Sequence, residues 1–474
     1  MSLNSKKMRN GALTLLSAVT LAACTLGPNY HGAPNVAPDA SQAKSFKRAT
    51  EHVTTTAPGL AEWWKPLNDP ELNELIEAAL ASNPDLHAAQ ARLRESRAGL
   101  RQQQVKELPT TSGTAAYLHA HLPSSTLGIG SIGAYDLGFD ATWEVDLFGG
   151  TRRAIEAASA EASAVEADLA DTQVTLSAEV AQAYIDLRDQ QQRIALVRDS
   201  AEIEEQILTL TEQRRAQGVA SDLDVERIRT QVENTRGTLI PLDAQITESL
   251  DELAILTARE PGALDAELGT QTMLPTLPET VAVGDPAALL KQRPDIRAAT
   301  WRLASANAQI GENEAAWFPK LTLIGDLGFT ATNPGHLLRS NNFTWIGAPL
   351  LQWNGLDFGR TKAKVDQSKA GYEEAEAKYE STVLGALKDA NVALSRYGHQ
   401  RDNVVSLRNV ETSASHAATL TQQRYRAGTS SALDWLDAER TRFSAQQNRI
   451  AGDADLIKDY VALQKSLGLG WQHD

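Results

Sequence analysis

Residues 135–147 read Tyr-Asp-Leu-Gly-Phe-Asp-Ala-Thr-Trp-Glu-Val-Asp-Leu. Tyr135, Leu137, Phe139, Ala141, Trp143, Val145 and Leu147 are apolar, and every residue between them is Asp, Gly, Thr or Glu. An apolar side chain at every second position is the pattern of a β-strand with one dry face and one wet face. At about 3.3 Å per residue, the run exceeds the roughly 9–11 residues needed to cross a bilayer. The wet side carries Asp136, Asp140, Glu144 and Asp146, a density of charge that suits a water-filled lumen. A strand half-buried on a soluble core is the alternative for such alternation.

Working outward, hairpins are expected at about 111–148 and 321–358. The second keeps the odd parity with Leu321, Leu323, Leu327, Phe329, Phe343, Trp345, Leu351 and Trp353, but Ile324, Ile346 and Leu350 fall on the other face. Aromatic residues near the strand ends fit the girdles of outer-membrane barrels. Two hairpins cannot close a barrel, and open strand edges are not tolerated in hydrocarbon. If these strands cross a membrane, several chains must supply the barrel.

The two stretches belong to a duplication. Displaced by 210 positions, Pro84-Asp85 falls on Pro294-Asp295, Pro109 on Pro319, Trp143 on Trp353 and Phe148-Gly149 on Phe358-Gly359. Thr211, Gln213, Arg214, Gly218, Ser221, Leu223 and Asp224 fall on Thr421, Gln423, Arg424, Gly428, Ser431, Leu433 and Asp434. The period is far longer than that of solenoid repeats, so the chain is a doubled half-fold. Each copy, 70–258 and 286–467, is predicted as helix, hairpin, long helix, turn and returning helix. Residues 70–107 form one apolar-periodic helix in this reading. Residues 151–217 contain no Gly or Pro, and Val165, Leu169, Thr172, Leu176, Val180, Ala183 and Leu187 step by three and four as a coiled-coil seam does. Unbroken, that helix would be about 100 Å long. Residues 221–257 return after Gly218, and 286–318, 360–427 and 431–467 repeat the pattern.

The N-terminus carries Lys6, Lys7 and Arg9 ahead of a short apolar run that ends in Leu21-Ala22-Ala23-Cys24, and Cys24 is the only cysteine. Residues 1–23 therefore read as a lipoprotein signal peptide, with Cys24 acylated and becoming the mature N-terminus. The rest is expected to be exported. A net charge of −15 argues against nucleic acid as a partner. Nine histidines are scattered without metal-ligand spacing. No phosphate loop, dinucleotide fingerprint or Gly-x-Ser-x-Gly element is present. The expectation is no catalysis, no metal and no cofactor.

In order and spacing, several segments resemble the outer-membrane factors of the TolC type, specifically the lipoprotein branch paired with resistance-nodulation-division pumps. They are Cys24-Thr25-Leu26-Gly27-Pro28-Asn29-Tyr30, Trp63-Trp64 with Asp69-Pro70-Glu71-Leu72, Asn83-Pro84-Asp85-Leu86, Arg293-Pro294-Asp295-Ile296 and Trp143 to Gly149. The resemblance implies a mainly α fold with a β-barrel part: a homotrimer whose barrel has twelve strands, continuous with a periplasmic α-helical tunnel. It implies an equatorial layer from residues 24–69, 259–285 and the tail 468–474. The implied function is a passive efflux duct in the outer membrane, fed by an inner-membrane efflux pump through a periplasmic adaptor. A lipid-anchored periplasmic coiled-coil scaffold is the alternative; it accounts for the helices but not for the duplicated amphipathic strands.

Both helix turns read Arg-x-x-x-Gly followed by Ser-x-Leu-Asp, which suits a left-handed glycine and a serine N-cap. By resemblance, Gly218, Val219, Ser221, Gly428, Thr429, Ser430 and Ser431 form the tips on which the adaptor docks. Asp434 and Asp437, one helical turn apart, match aspartates that ring the periplasmic gate. Asp224 and Tyr425 match positions that tie neighbouring coils closed in some members. Ser430 stands where the family has an arginine, so the ion pair of that lock is missing, with Arg424 or Arg426 as candidate substitutes.

Overall fold

The computed structural model describes residues 25–121 and 131–471. Cys24 and the expected signal peptide lie outside the described residues, as do 122–130 in the first hairpin and 472–474 of the tail. The chain forms two compact units. The first contains the strands, residues 92–166 and 298–381, together with the N-terminal stretch up to Pro34. The second contains 35–91, 167–297 and 382–474.

The helices and strands follow the duplication. In the first copy they are α1 Pro70–Ser82, α2 Pro84–Gln104, β1 Thr110–His121, β2 Ser131–Val145, α3 Gly150–Ala216, α4 Asp222–Gly237 and α5 Leu239–Leu256. In the second they are α6 Pro286–Gln292, α7 Pro294–Ala315, β3 Lys320–Ala331, β4 Phe343–Gln352, α8 Arg360–Arg426 and α9 Ala432–Ser466. Both α3 and α8 run unbroken for 67 residues.

Three helices expected as continuous, 70–107, 221–257 and 286–318, are each divided at a proline; the last breaks into α6 and α7 where Arg293, before Pro294, leaves helical geometry (φ −60°, ψ 125°). Pro84 forces Asn83 out of helical geometry (φ −60°, ψ 130°), so 70–107 is α1 followed by α2. Asn83 then serves as a cap: its side-chain carbonyl accepts from the amides of Asp85 and Leu86 at 2.9 and 3.1 Å. Pro241 lacks an amide and crowds the carbonyl four residues back, that of Gly237, and the return 221–257 divides into α4 and α5 there. Gln447 and Ala451 occupy the matching positions of the second copy, and α9 is continuous over 35 residues.

The duplication is geometric as well as sequential. Trp143 Nε1 donates to the carbonyl of Glu107 at 3.0 Å, and Trp353 Nε1 to that of Trp317 at 3.0 Å. Asn83 Nδ2 donates to the carbonyl of Leu256 at 3.0 Å, and Arg293 Nη1 to that of Ser466 at 2.7 Å. In each pair both partners are displaced by 210, so each copy closes its returning helix on the residue before its own helix-breaking proline.

The four strands form one antiparallel sheet in the order β1-β2-β3-β4, with β2 and β3 joined through helices; a separate two-stranded parallel sheet in the second unit pairs Val53–Thr54 with Val281–Ala282. The register of the four-stranded sheet sets odd residues against odd: Tyr117 with Tyr135, Phe139 with Leu327, Trp143 with Leu323 and Leu327 with Trp345. One face therefore carries the apolar row. Phe139 is 65 % exposed and Trp345 74 % exposed, and β4 has no buried residue, which excludes the alternative of a sheet packed on a soluble core. The opposite face holds Asp136, Asp140, Glu144 and Asp326, with Thr330 donating to Asp136 at 2.8 Å, Thr114 donating to Asp140, and Lys320 paired with Glu144 at 2.8 Å. Asp146 does not belong to this face. Strand β2 ends at Val145, and Asp146 accepts from the Arg152 amide at 3.0 Å and pairs with Arg152 Nε at 3.1 Å. It anchors the start of α3 instead.

Candidate gate and docking tips

The first unit fixes the path of the stretch from Leu26 to Asn29. Leu26 N–H donates to the carbonyl of Phe148 at 3.2 Å. Buried Arg153 donates to the carbonyls of Leu26 and Gly27 at 2.9 and 3.2 Å and to Asn29 Oδ1 at 2.8 Å. Gly27 has φ +86°, and a Cβ there would meet the Cα of Gly311, so only glycine allows the approach. Residues 25–34 thus sit with the strands, whereas 35–69 belong to the second unit. The expected 24–69 segment is divided between the two.

In the second unit, Arg188 of α3 is fully buried. It donates to Glu71 at 2.7 Å, to Gln191 at 2.7 Å and to the carbonyls of Leu268 and Thr270 at 3.1 and 3.0 Å. Tyr184 O–H lies 2.9 Å from Asp69 and 3.1 Å from Glu71. This cluster binds the start of α1 and the 259–285 connection to one stretch of α3. The reading of the sequence missed it; the available signal was an arginine following the apolar positions Tyr184, Ile185 and Leu187. At the C-terminus, Trp471 packs on Ala170, Val174 and Leu60, and Gly470 N–H donates to the Leu60 carbonyl at 2.7 Å.

The two tips are built alike. Gly218 (φ +76°) and Gly428 (φ +75°) adopt the left-handed backbone that ends α3 and α8. Val219 N–H reaches the Arg214 carbonyl at 2.9 Å and Gly218 N–H that of Arg215 at 2.9 Å; Thr429 with Arg424 and Gly428 with Tyr425 repeat the pair at 2.9 and 3.0 Å. These are Schellman turns. The returning helices begin with reciprocal caps: the Asp224 amide donates to Ser221 Oγ at 3.2 Å and the Ser221 amide to the Asp224 carboxylate at 3.1 Å, with 3.1 and 2.9 Å for Asp434 and Ser431. Ser430 donates to Asp434 at 3.0 Å. Val219 is 72 % exposed at the first tip.

The four expected gate residues divide into two kinds. Asp434 and Asp437 are both exposed, one turn apart at the start of α9. Tyr425 is buried with Ile207, Ile228, Trp435 and Leu436. Its ring centroid is 5.2 Å from that of Trp435, and the Arg214 guanidinium lies over it at 4.1 Å. Tyr425 Oη has no hydrogen-bond partner among the described residues, so Tyr425 and Asp224 are not joined within one chain. The Ser221 hydroxyl and amide hold the Asp224 carboxyl below its ordinary pKa. The Ser431 amide, then the Ser431 and Ser430 hydroxyls, do the same for Asp434.

A folded-state pKa below the unfolded value means that the caps contribute fully above about pH 4 and are lost as pH falls through the depressed pKa. Ser221→Ala and Ser431→Ala should each cost about 1 kcal/mol. Hydrogen exchange at the first turns of α4 and α9 should quicken in both variants, and the difference from the parent should shrink in acid.

A model of the family described as outer membrane efflux protein matches residues 75–259 and again 286–469, one match in each repeat. The chain belongs to the outer membrane efflux protein family. Among its relatives, the antibiotic efflux pump outer membrane protein ArpC of Pseudomonas putida is 31 % identical over 96 % of this chain and 94 % of its own. The outer-membrane channel OprN superposes with a TM-score of 0.85 at 35 % identity, covering 95 % of this chain and all of that one. The MtrE outer membrane channel of Neisseria gonorrhoeae gives a TM-score of 0.82 at 28 % identity, covering 95 % of this chain and 99 % of that one. The family is one of efflux ducts, located in the outer membrane, and the doubled match restates the duplication read from the sequence.

Proposed function

We propose that this chain is one of three copies forming a passive exit duct, in which an inner-membrane efflux pump delivers small molecules through a periplasmic adaptor. The observation that carries this reading is the sheet. Its apolar face is largely open, its other face carries carboxylates on β2 and β3, and among the described residues its outer strands β1 and β4 each have an unpaired edge. Lipid against the first face, water against the second and further copies on both edges satisfy all three conditions. Three chains of four strands close a barrel of twelve. Cys24 supplies the lipid anchor in this reading, supported by the fixed path of Leu26 to Tyr30 beside the ends of the strands.

The tips at Gly218, Val219, Ser221, Gly428, Thr429, Ser430 and Ser431 are the adaptor's docking points, supported by their rigid caps and by the exposed Val219. Asp434 and Asp437, six carboxylates in the trimer, form a cation-attracting gate. No reacting group is assigned, and transport is driven from the pump.

The lipid-facing assignment is tested at Phe139, in the middle of β2. An arginine there should cost about 2–4 kcal/mol at the bilayer midplane. The Phe139→Arg protein should accumulate outside the outer-membrane fraction, while Asp140→Asn inserts normally. An arginine variant that inserts and conducts like the parent would overturn the assignment.

A further inference from the structure

The duplication determines how a second copy of this chain docks, down to residue pairs. This rests on the trimeric reading above, in which the repeats of successive copies alternate around one axis. A contact between the first and second repeats inside a chain then recurs between the second repeat of one copy and the first repeat of the next, displaced by 210 at both ends. We infer that the subunit interface is built from these displaced images, with β4 pairing β1 of the next copy in the register of β2 with β3, and α8 pairing α5 through Arg396 and Glu248.

Charge supplies the strongest support. Within the second unit, Lys458 of α9 binds Asp186 of α3 at 3.0 Å. The image of Asp186 is Arg396 and that of Lys458 is Glu248. Both positions remain charged and complementary, with the signs exchanged. Arg396 and Glu248 are both exposed, and among the described residues neither forms a salt bridge, Arg396 acting on Asp459 only at longer range. A salt bridge inverted between two copies of a fold is expected where both seams must hold.

The strands give independent support. In the β2–β3 register Asp140 faces Asp326 and Asp136 faces Thr330. Their images set Leu350 against Ala116 and Ile346 against Ala120 of the next copy. Ile346 and Leu350 are two of the three residues that broke the alternation of the second hairpin; in this register each finds an alanine opposite, a dry strip on the wet face at the seam. Parity is kept, because odd residues again meet odd and the apolar face continues without a flip. At the ends of the strands, Phe148 stacks on Phe318 at 4.7 Å. The images are Phe358, 95 % exposed, and Leu108, 62 % exposed, two apolar side chains left open by the single chain.

Cysteine pairs in the full-length, membrane-inserted lipoprotein test the register. Directly opposed strand residues have Cβ atoms about 4.5–5.5 Å apart and diagonal ones about 7–8 Å, while a disulfide needs roughly 3.5–4.5 Å. Leu350→Cys with Ala116→Cys should give reductant-sensitive dimers and trimers several-fold more readily than Leu350→Cys with Leu118→Cys. Glu248→Arg or Arg396→Glu alone should lower the temperature at which the oligomer dissociates, and the double reversal should restore it. Equal or better cross-linking through Leu118→Cys, single reversals without effect, or a double reversal that restores nothing would each overturn the inference while leaving a trimer in place. A protein that is monomeric by native mass spectrometry in detergent would overturn the channel reading with it.

Discussion

Arg188→Ala is expected to destabilise the second unit by about 3–5 kcal/mol, the range for removing one partner from a buried charged network. Two terms produce the loss. The Thr270 carbonyl and Gln191 Oε1 lose the donor described here, while the Leu268 carbonyl keeps only Gln191 Nε2, at 2.7 Å. Buried acceptors left without donors cost about 1–3 kcal/mol each. The emptied volume against Tyr184, whose ring lies 4.8 Å from the guanidinium, adds a cavity term. Arg188→Lys should recover only part of the loss, because an ammonium cannot serve Glu71, Gln191 and two carbonyls from one planar fork. Thermal unfolding of detergent-solubilised protein, with limited proteolysis in the 259–285 connection, checks both variants. Equal stability of parent and alanine variant would remove Arg188 from its structural role.

The second large effect concerns conduction. Asp434→Asn with Asp437→Asn keeps side-chain acceptors at the start of α9 while removing the charge. Separating the two roles matters, because Asp434 also caps Ser431. Charges a few ångströms apart near a protein surface interact by several kcal/mol, and 1.4 kcal/mol is a tenfold change in binding. Block by divalent cations in planar bilayers should therefore weaken by about tenfold or more, with cation selectivity reduced. Block and selectivity that match the parent would remove the pair from the proposed gate.

The parts of this molecule that were legible in the sequence are those specified locally or by repetition. The odd-position row of β2 fixed which face is apolar, and Gly218 with Ser221 marked the end of one helix and the start of the next. The offset of 210 carried both readings to the second copy. What escaped was set by distant partners. Arg188 looks like a polar interruption of a coiled-coil seam until the 259–285 connection folds over it. The packing of the Tyr425 ring against Trp435 and beneath Arg214 was likewise set by residues on other helices. Asp146 continued the alternation of the strand in sequence, but α3 required a carboxylate at its start more than the sheet required another residue. The proline breaks were legible in principle: Pro84, Pro241 and Pro294 all stand inside apolar-periodic runs, and the periodicity alone carried the helices through them.

The interruption between α4 and α5 has a mechanical meaning. A slender rod under end load bends where its internal bracing is missing, and Pro241 removes one such brace midway along the first return, where α9 retains every one. Each chain therefore contributes one jointed strut and one stiff strut. Force applied at the tips would be taken up as flexure in the jointed member and transmitted with little loss by the other.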